Sequence, residues 1–502
     1  IASSSLSNDN SYVDLTISQA VYNTVVGSGA LEASDFTLVF AQNSGNATGV
    51  TISSIKKDDN TAEGSATALS GGETVVRVFL SITGKPSGVE TVTITPTNGT
   101  SIYNALGLNM EASETTGAIT LNDLLSPIIT DVSIASDNST ITVTMSEGVY
   151  NTNGGSGALE ASDFTLSISG GVATLSSSMP TSISSSGNVY TLGISLSDEP
   201  NGLDTLFVNP LDDSIYDGVG NEMAANQRGL HTPTSNFTLL NDLTEPTMIS
   251  VSSSTPDGLY KIGEQIAIEV IFNESVVVTG TPQLTLETGS TDAVVNYSSG
   301  SSSNTLVFNY TVASGDYNGD LEYQSTSALA LNGGTIKDAT GNASILTLPT
   351  LLSANSLAGN KALVVDGVVP TLMQPPLTSI ANNNTYIDIV LTEAVYNASA
   401  GSGALEVADF TLTFAQNSGN ATGASISSVK QNDNVAEGSA SALAGGEIVI
   451  RTFLSITGTP RGVETITITP VNATSIYDLA GNAMPTSANV VLTLNDQSAA
   501  TI

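Results

Sequence analysis

Apolar and polar residues alternate with a period of two through most of this chain. The runs YVDLTI (12–17), TVVRVFLSI (74–82) and ETVTIT (90–95) have counterparts in TYIDIV (385–390) and ETITIT (464–469). Threonine alternating with valine or isoleucine is the pattern of a strand with one buried face, because successive side chains of an extended backbone point to opposite sides. In the run at 74–82 the pattern predicts Val76, Val78, Leu80 and Ile82 on the buried face, with Arg77 and Ser81 looking outward. Clusters of Gly, Asn, Asp and Ser separate the strands at short intervals, and no segment carries a sustained helical stripe. The exception is GALEASD at 29–35, which is expected to make one helical turn before a strand. The fold class is therefore all-β, with two packed antiparallel sheets per domain.

The strand pattern itself repeats. GSGALEASDFTLVF (27–40) returns as GSGALEASDFTLSI (155–168) and GSGALEVADFTLTF (401–414). A more distant copy is marked by Asn273 and Glu274 before Val276. An Asp-x-x-Gly-Asn ending recurs at Asp217–Asn221, Asp338–Asn342 and Asp478–Asn482. Repeats of this length mean domains in series. Short proline-containing junctions, LNDLLSP (121–127), LNDLTEP (240–246) and VDGVVP (365–370), divide them, and their composition is that of a stiff corner and not of a flexible tether. The expected domains are 1–123, 124–242, 243–366 and 367–496. Residues 497–502 read as the start of a further junction or domain, as in a window on a longer chain; the alternative is a self-standing chain with decayed ends.

Charge narrows the functional classes. The chain holds 11 basic and 47 acidic side chains, a formal net charge of −36, although only 12% of residues are charged. That field repels nucleic acid and anionic membrane surfaces, so neither is expected as a partner. There is no cysteine and no tryptophan, so stability has to come from packing, repetition or bound ions. No apolar run is long enough for a membrane span, and no direct membrane insertion is expected.

Copy three carries a family resemblance. YKIGE (260–264), FNESV (272–276), VTGTP (278–282), LVFNYTV (306–312) and LNGGTIKDATGN (331–342), in that order, resemble the bacterial Ig-like modules of giant surface adhesins. Copies one, two and four share less of the pattern: the Glu/Gln-x-Val strand and, in two and four, the Asp-x-x-Gly-Asn ending. The resemblance implies tandem Ig-like antiparallel β-sandwich domains forming an elongated rod, an extracellular or cell-surface location, and a stalk, often stiffened by calcium, that holds a binding head away from the cell. An unknown surface receptor would then be contacted elsewhere in the parent protein.

Comparison among the copies supplies a candidate ion site. Copies two, three and four place Glu147, Glu274 and Glu393 at the end of a strand and Asp217, Asp338 and Asp478 at the Gly-Asn turn. Copy one has Gln19 and Asn104 there, so both charges disappear together. Paired loss is expected when two carboxylates share one cation, and calcium is the cation that oxygen-only sets favour. The other reading is chance substitution at solvated turns. The junction residues Asp123, Asp242 and Asp366 could add ligands from the linker and lock one domain against the next. Asp35, Asp163 and Asp409, each before a phenylalanine, are expected instead to cap a turn through backbone N–H groups. Asn98, Asn138 and Asn342 head Asn-x-Ser/Thr triplets, which permit glycosylation where the machinery exists.

Enzyme activity is the least favoured class. The one histidine, His231, has no counterpart in copies one and four, which leaves no histidine-dependent catalytic pair or zinc centre. A glycosidase using carboxylates alone would need a deep cleft, for which short sandwiches leave little room. Two readings compete with the calcium-stiffened stalk. One is a self-assembling filament, sheath or surface-layer subunit, with copies of itself as partners beside the neighbouring repeats of its own chain. The other is a carbohydrate-binding module.

Overall fold

The structure is a computed structural model and describes residues 1–227 and 236–499. His231 lies outside the described residues. The chain divides into two compact units, Ile1–Leu243 and Thr244–Ile502, and each unit contains two hydrophobic cores. In the first unit these gather Val13 to Leu121 and Ile129 to Leu240. In the second they gather Val251 to Val365 and Leu372 to Leu494. The chain around each core is referred to below as sandwiches one to four.

Sandwich one sets the pattern. Its strands are Ser3–Leu6 (β1), Tyr12–Tyr22 (β2), Phe36–Ala41 (β3), Gly49–Lys56 (β4), Glu73–Thr83 (β5), Thr91–Pro96 (β6), Tyr103–Asn104 (β7) and Ile119–Thr120 (β8). One sheet has the order β1-β2-β5-β4, with β7 added to β2, and the other has the order β3-β6-β8. All these pairings are antiparallel. In β6 buried and half-buried residues alternate without a break, so Val92 and Ile94 face the core while the threonines between them do not. Each fully buried Val, Leu or Ile contributes about 1.5–3 kcal/mol. Two sheets closed over one apolar layer form a β-sandwich. Sandwiches two and four repeat it, with sheets of four and three strands each.

Sandwich three differs. A larger sheet runs through Met248–Ser253, Gln265–Thr279, Ser303–Thr311, Ala293–Ser299, Gln283–Glu287 and Glu322–Tyr323. A second, three-stranded sheet pairs Gly258–Lys261 parallel to Leu363–Asp366, with Tyr317–Asn318 on the other side. The parallel pair places Lys261 opposite Asp366, at the exit into the junction.

The predicted helical turn is present as a single 3-10 turn at Ala33–Asp35, Ala161–Asp163 and Val407–Asp409. Its aspartate accepts a bond from the backbone N–H of Glu32, Glu160 or Glu406 at 2.7–2.8 Å, the capping role expected of Asp35, Asp163 and Asp409. The glycine that opens the repeated motif has a steric purpose. Gly27, Gly155 and Gly401 have φ of +68°, +65° and +63°, and a Cβ there would lie 2.8, 2.4 or 2.5 Å from a backbone carbonyl of the Asp-x-x-Gly-Asn loop or its copy-one equivalent.

Arg77 departs from its expected exposure. It does leave the core face, but it is 2% exposed. Its guanidinium donates to both carboxylate oxygens of Asp14 at 2.7 and 2.8 Å, pairs with Asp58 and lies over the Tyr12 ring at 3.6 Å. Arg451 repeats this with Asp388 and Tyr386. In both sandwiches a long loop folds back over this outer strand face and supplies acceptors to the guanidinium, Asp58 to Arg77 and Asn432 and Asn434 to Arg451. Asn138 is likewise 2% exposed, and its amide donates to the carbonyl of Asn241 at 2.8 Å, which leaves no room for a glycan.

Candidate metal centre

The Asp-x-x-Gly-Asn ending folds as a closed loop around its aspartate. Asp217 Oδ1 accepts the N–H groups of Val219, Gly220 and Asn221 at 2.7–2.9 Å, and its Oδ2 accepts Asn221 Nδ2 at 2.7 Å. Asp338 and Asp478 are held in the same way by Gly341 and Asn342, and by Gly481 and Asn482. The glycine has φ between +93° and +107° in all three loops, a region that L side chains rarely adopt. Asp217 and Asp478 are 1% and 0% exposed, so each carboxylate is immobilised with spare lone pairs on Oδ2.

The linker aspartate is aimed by a local turn. Asp123 Oδ1 accepts Leu125 N–H at 2.9 Å and Asp366 Oδ1 accepts Val368 N–H at 3.1 Å. On the preceding sandwich Gly88, at φ +80°, leaves the space beside Asp123; a Cβ there would stand 3.2 Å from Asp123 Cβ.

These pieces meet. In the first unit one carboxylate oxygen from each of Asp123, Glu147 and Asp217 lies within 4.8 Å of the others, and in the second unit Asp366, Glu393 and Asp478 do the same. Six of the nine residues expected from the sequence thus form two sets, each combining a linker aspartate with a strand-end glutamate and a loop aspartate. Glu274 and Asp338 come together in the second unit. Asp242 stands at the end of the first unit beside Gly202, where a Cβ would be 3.2 Å from its own.

Three carboxylates so close cannot all stay ionised without a counter-charge. Two unit charges 4 Å apart repel by about 1 kcal/mol in water and about 4 kcal/mol near a protein surface. Burial, with the charges of Asp123 and Asp217 added, pushes Glu147 up to about 7. Burial, with Asp478 and Asp366, does the same to Glu393. Burial foremost also raises Asp123 and Asp366. At Asp338 burial is outweighed by the hydrogen bonds from Asn342, Thr340 and Gly341, and its carboxyl is lowered. Glu393 Oε1 is a buried oxygen with no hydrogen-bond partner.

Sandwich one shows the same position without charge. Asn104 Nδ2 donates to Gln19 Oε1 at 2.8 Å, while Asn104 Oδ1 accepts Leu106 and Leu108 N–H at 2.9 and 3.0 Å. The loop bonds survive the change from Asp to Asn, and the pair satisfies itself. The acidic pairs contain acceptors only, so they require a proton or a cation between them. Sets made of carboxylate oxygens alone, without sulfur or imidazole, suit a hard divalent cation of the calcium kind.

Sequence reasoning missed Asn221 and Asn482. Beyond closing the loop, Asn221 Nδ2 donates to the carbonyl of Asp123 at 3.2 Å and Asn482 Nδ2 to that of Asp366 at 2.8 Å. Each ties its loop to the preceding linker. The signal was the final Asn of the repeated ending, recognised as a landmark but given no task.

The fold and these sites define a β-sandwich repeat protein. No protein-family model matches the chain and no curated protein matches its sequence. Among solved structures it is similar to an I-band fragment of titin, at 9% identity over 75% of this chain and 100% of that one, with a TM-score of 0.26. It is also similar to domains 1–6 of surface layer protein SbsC, at 12% identity over 76% of this chain and 55% of that one, TM-score 0.17. A longer SbsC structure matches at 11% identity over 94% of this chain and 64% of that one, TM-score 0.16. The chain spans less than two thirds of these two SbsC structures. At such scores the assignment of fold rests on the sheets themselves.

Proposed function

We propose that this chain is a non-enzymatic structural segment of an extracellular protein, a stalk of β-sandwiches whose joints are stiffened by calcium. The observation that carries this reading is the composition of the two acidic sets. Each joins a carboxylate of the linker to two carboxylates of the next sandwich, so a bound cation would tether the linker to that sandwich. Asp123, Glu147 and Asp217 would hold one ion, and Asp366, Glu393 and Asp478 another. Asp242, by its place in the repeat, is the counterpart of Asp123 and Asp366. The ion would supply the positive charge that replaces the proton on Glu147 or Glu393. A surface adhesin is the parent that the resemblance of copy three favours, with its receptor bound elsewhere.

The test is the thermal melt and the radius of gyration of the full chain in excess calcium and in chelator, at constant ionic strength. A higher melting temperature and a narrower size distribution in calcium support the reading; identical values in both conditions refute it.

Assembly of copies into a filament or surface layer is the second reading. It is supported by an apolar pair of loops on sandwich one, where Val25, Val26, Leu106 and Leu108 are all exposed and Gly107 approaches the Val25 carbonyl. Sedimentation over a concentration series separates the two, since only assembly predicts growth with concentration.

A further inference from the structure

The joints within the two units are built differently. Between sandwiches one and two, among the described residues, the side-chain hydrogen bond reaching back from the acidic loop is that of Asn221 to the linker carbonyl of Asp123, at 3.2 Å. Between sandwiches three and four the same loop is gripped from two sides. Asn482 Nδ2 donates to the Asp366 carbonyl at 2.8 Å, while Asn482 Oδ1 accepts the backbone N–H of Ile262 at 3.0 Å. Lys261 Nζ donates to the carbonyl of Gly481 at 3.3 Å. Lys261 and Ile262 belong to the body of sandwich three, where Gly258–Lys261 is a strand paired parallel to Leu363–Asp366, so these bonds bypass the linker. Sandwich one sends no parallel strand beside its exit: its outgoing segment follows the short antiparallel strand Ile119–Thr120.

We infer that the joint between sandwiches three and four is latched by protein contacts alone, through Lys261, Ile262 and Asn482, whereas the joint between sandwiches one and two depends on its cation for rigidity. The cation half of this statement rests on the proposed function; the latch half does not. The physical reason is the number of independent restraints. One hydrogen bond to a linker leaves the next domain free to pivot about that linker, while bonds from a separate strand remove the pivot. Of these two joints, the one at Asp123 then bends more on loss of the ion, while the one at Asp366 keeps its geometry. A graded response to calcium follows from one repeated site set in two different supports.

The absence of cysteine makes the test direct in the full chain. One spin-label pair spans the first joint (Thr51→Cys with Ser185→Cys) and another spans the second (Thr311→Cys with Ser425→Cys), all at exposed positions. Pulsed electron paramagnetic resonance gives the width of each distance distribution in excess calcium and in chelator. In chelator the 51–185 distribution is expected to be about twofold broader than the 311–425 distribution, as fewer restraints permit wider local motion. Calcium should narrow the first far more than the second. Lys261→Met should broaden 311–425 in chelator and leave 51–185 unchanged. Equal widths in chelator, or a broader second joint, overturn the latch. If calcium narrows neither distribution the proposed ion sites fail, and the order of widths without metal still decides the latch.

Discussion

Replacing Glu393 by glutamine gives sandwich four the residue type that sandwich one has at Gln19, with Asp478 still acidic, and its effect on stability should change sign with calcium. Without metal, the Glu393 carboxyl is raised from 4.5 to about 7 by burial and by Asp478 and Asp366. An acid with a raised value binds its proton more tightly when folded. Its favourable contribution is complete below pH 4.5 and is lost as pH rises through 7. Above that pH, forcing ionisation costs the folded state about 3 kcal/mol at face value, roughly halved by the solvent that reaches a half-buried group. Glu393→Gln removes this cost, and its amide can donate to Asp478, a bond of opposite direction to the one in sandwich one, where the loop residue Asn104 donates to Gln19. In chelator at pH 8 the variant should be more stable than the parent by about 1–2 kcal/mol, a rise of very roughly 4 °C in the melting of a domain this size. In calcium the order reverses, because the parent gains about 2.7 kcal/mol at a hundredfold excess over the dissociation constant and the variant loses a ligand. Scanning calorimetry of both chains at pH 8 and pH 5, with calcium and with chelator, reads the crossing. At pH 5 the advantage of the variant in chelator should shrink towards zero. A variant less stable than the parent in both media would refute the reasoning, since Glu393 would then act through ordinary structural contacts.

The converse substitution, Gln19→Glu with Asn104→Asp, should destabilise sandwich one by about 1 kcal/mol in chelator at pH 8, because repulsion replaces a solvent-exposed hydrogen bond; denaturant titration should show calcium restoring part of the loss. Arg77→Ala should cost about 3–5 kcal/mol by removing the guanidinium from the Tyr12 ring and leaving the Asp14 carboxylate unpaired, and Arg451→Ala a similar amount, both measurable by urea unfolding and both independent of calcium. Gly155→Ala places a Cβ 2.4 Å from the Gly218 carbonyl at φ +65° and should cost about 2 kcal/mol or more; because it displaces the loop of Asp217, calorimetric titration should also show weaker calcium binding.

Strand positions were legible because alternation leaves little freedom: Val92 and Ile94 can reach a core only if the threonines beside them turn away. The pairing of Glu147 with Asp217, and of Glu393 with Asp478, was legible because copy one loses both charges together, so the chain carries its own control experiment. The linker aspartates joined the same sets because they recur beside the junction prolines. Periodicity could not foretell the burial of Arg77, since it reports which face a residue takes and not which loop covers that face. Nor could it foretell the grip of Lys261 on Gly481, which depends on a parallel strand pairing seen, among the described residues, in sandwich three and on contact between residues far apart in sequence.

The central claim is that the linker aspartates, strand-end glutamates and loop aspartates bind calcium. It is tested most directly by calorimetric titration of calcium into the full chain and into the Glu147→Gln, Glu393→Gln double variant. The account predicts saturable binding by the parent and the loss of two bound ions in the variant, with the fold retained. Equal stoichiometry in both chains, or no binding by the parent, would contradict it.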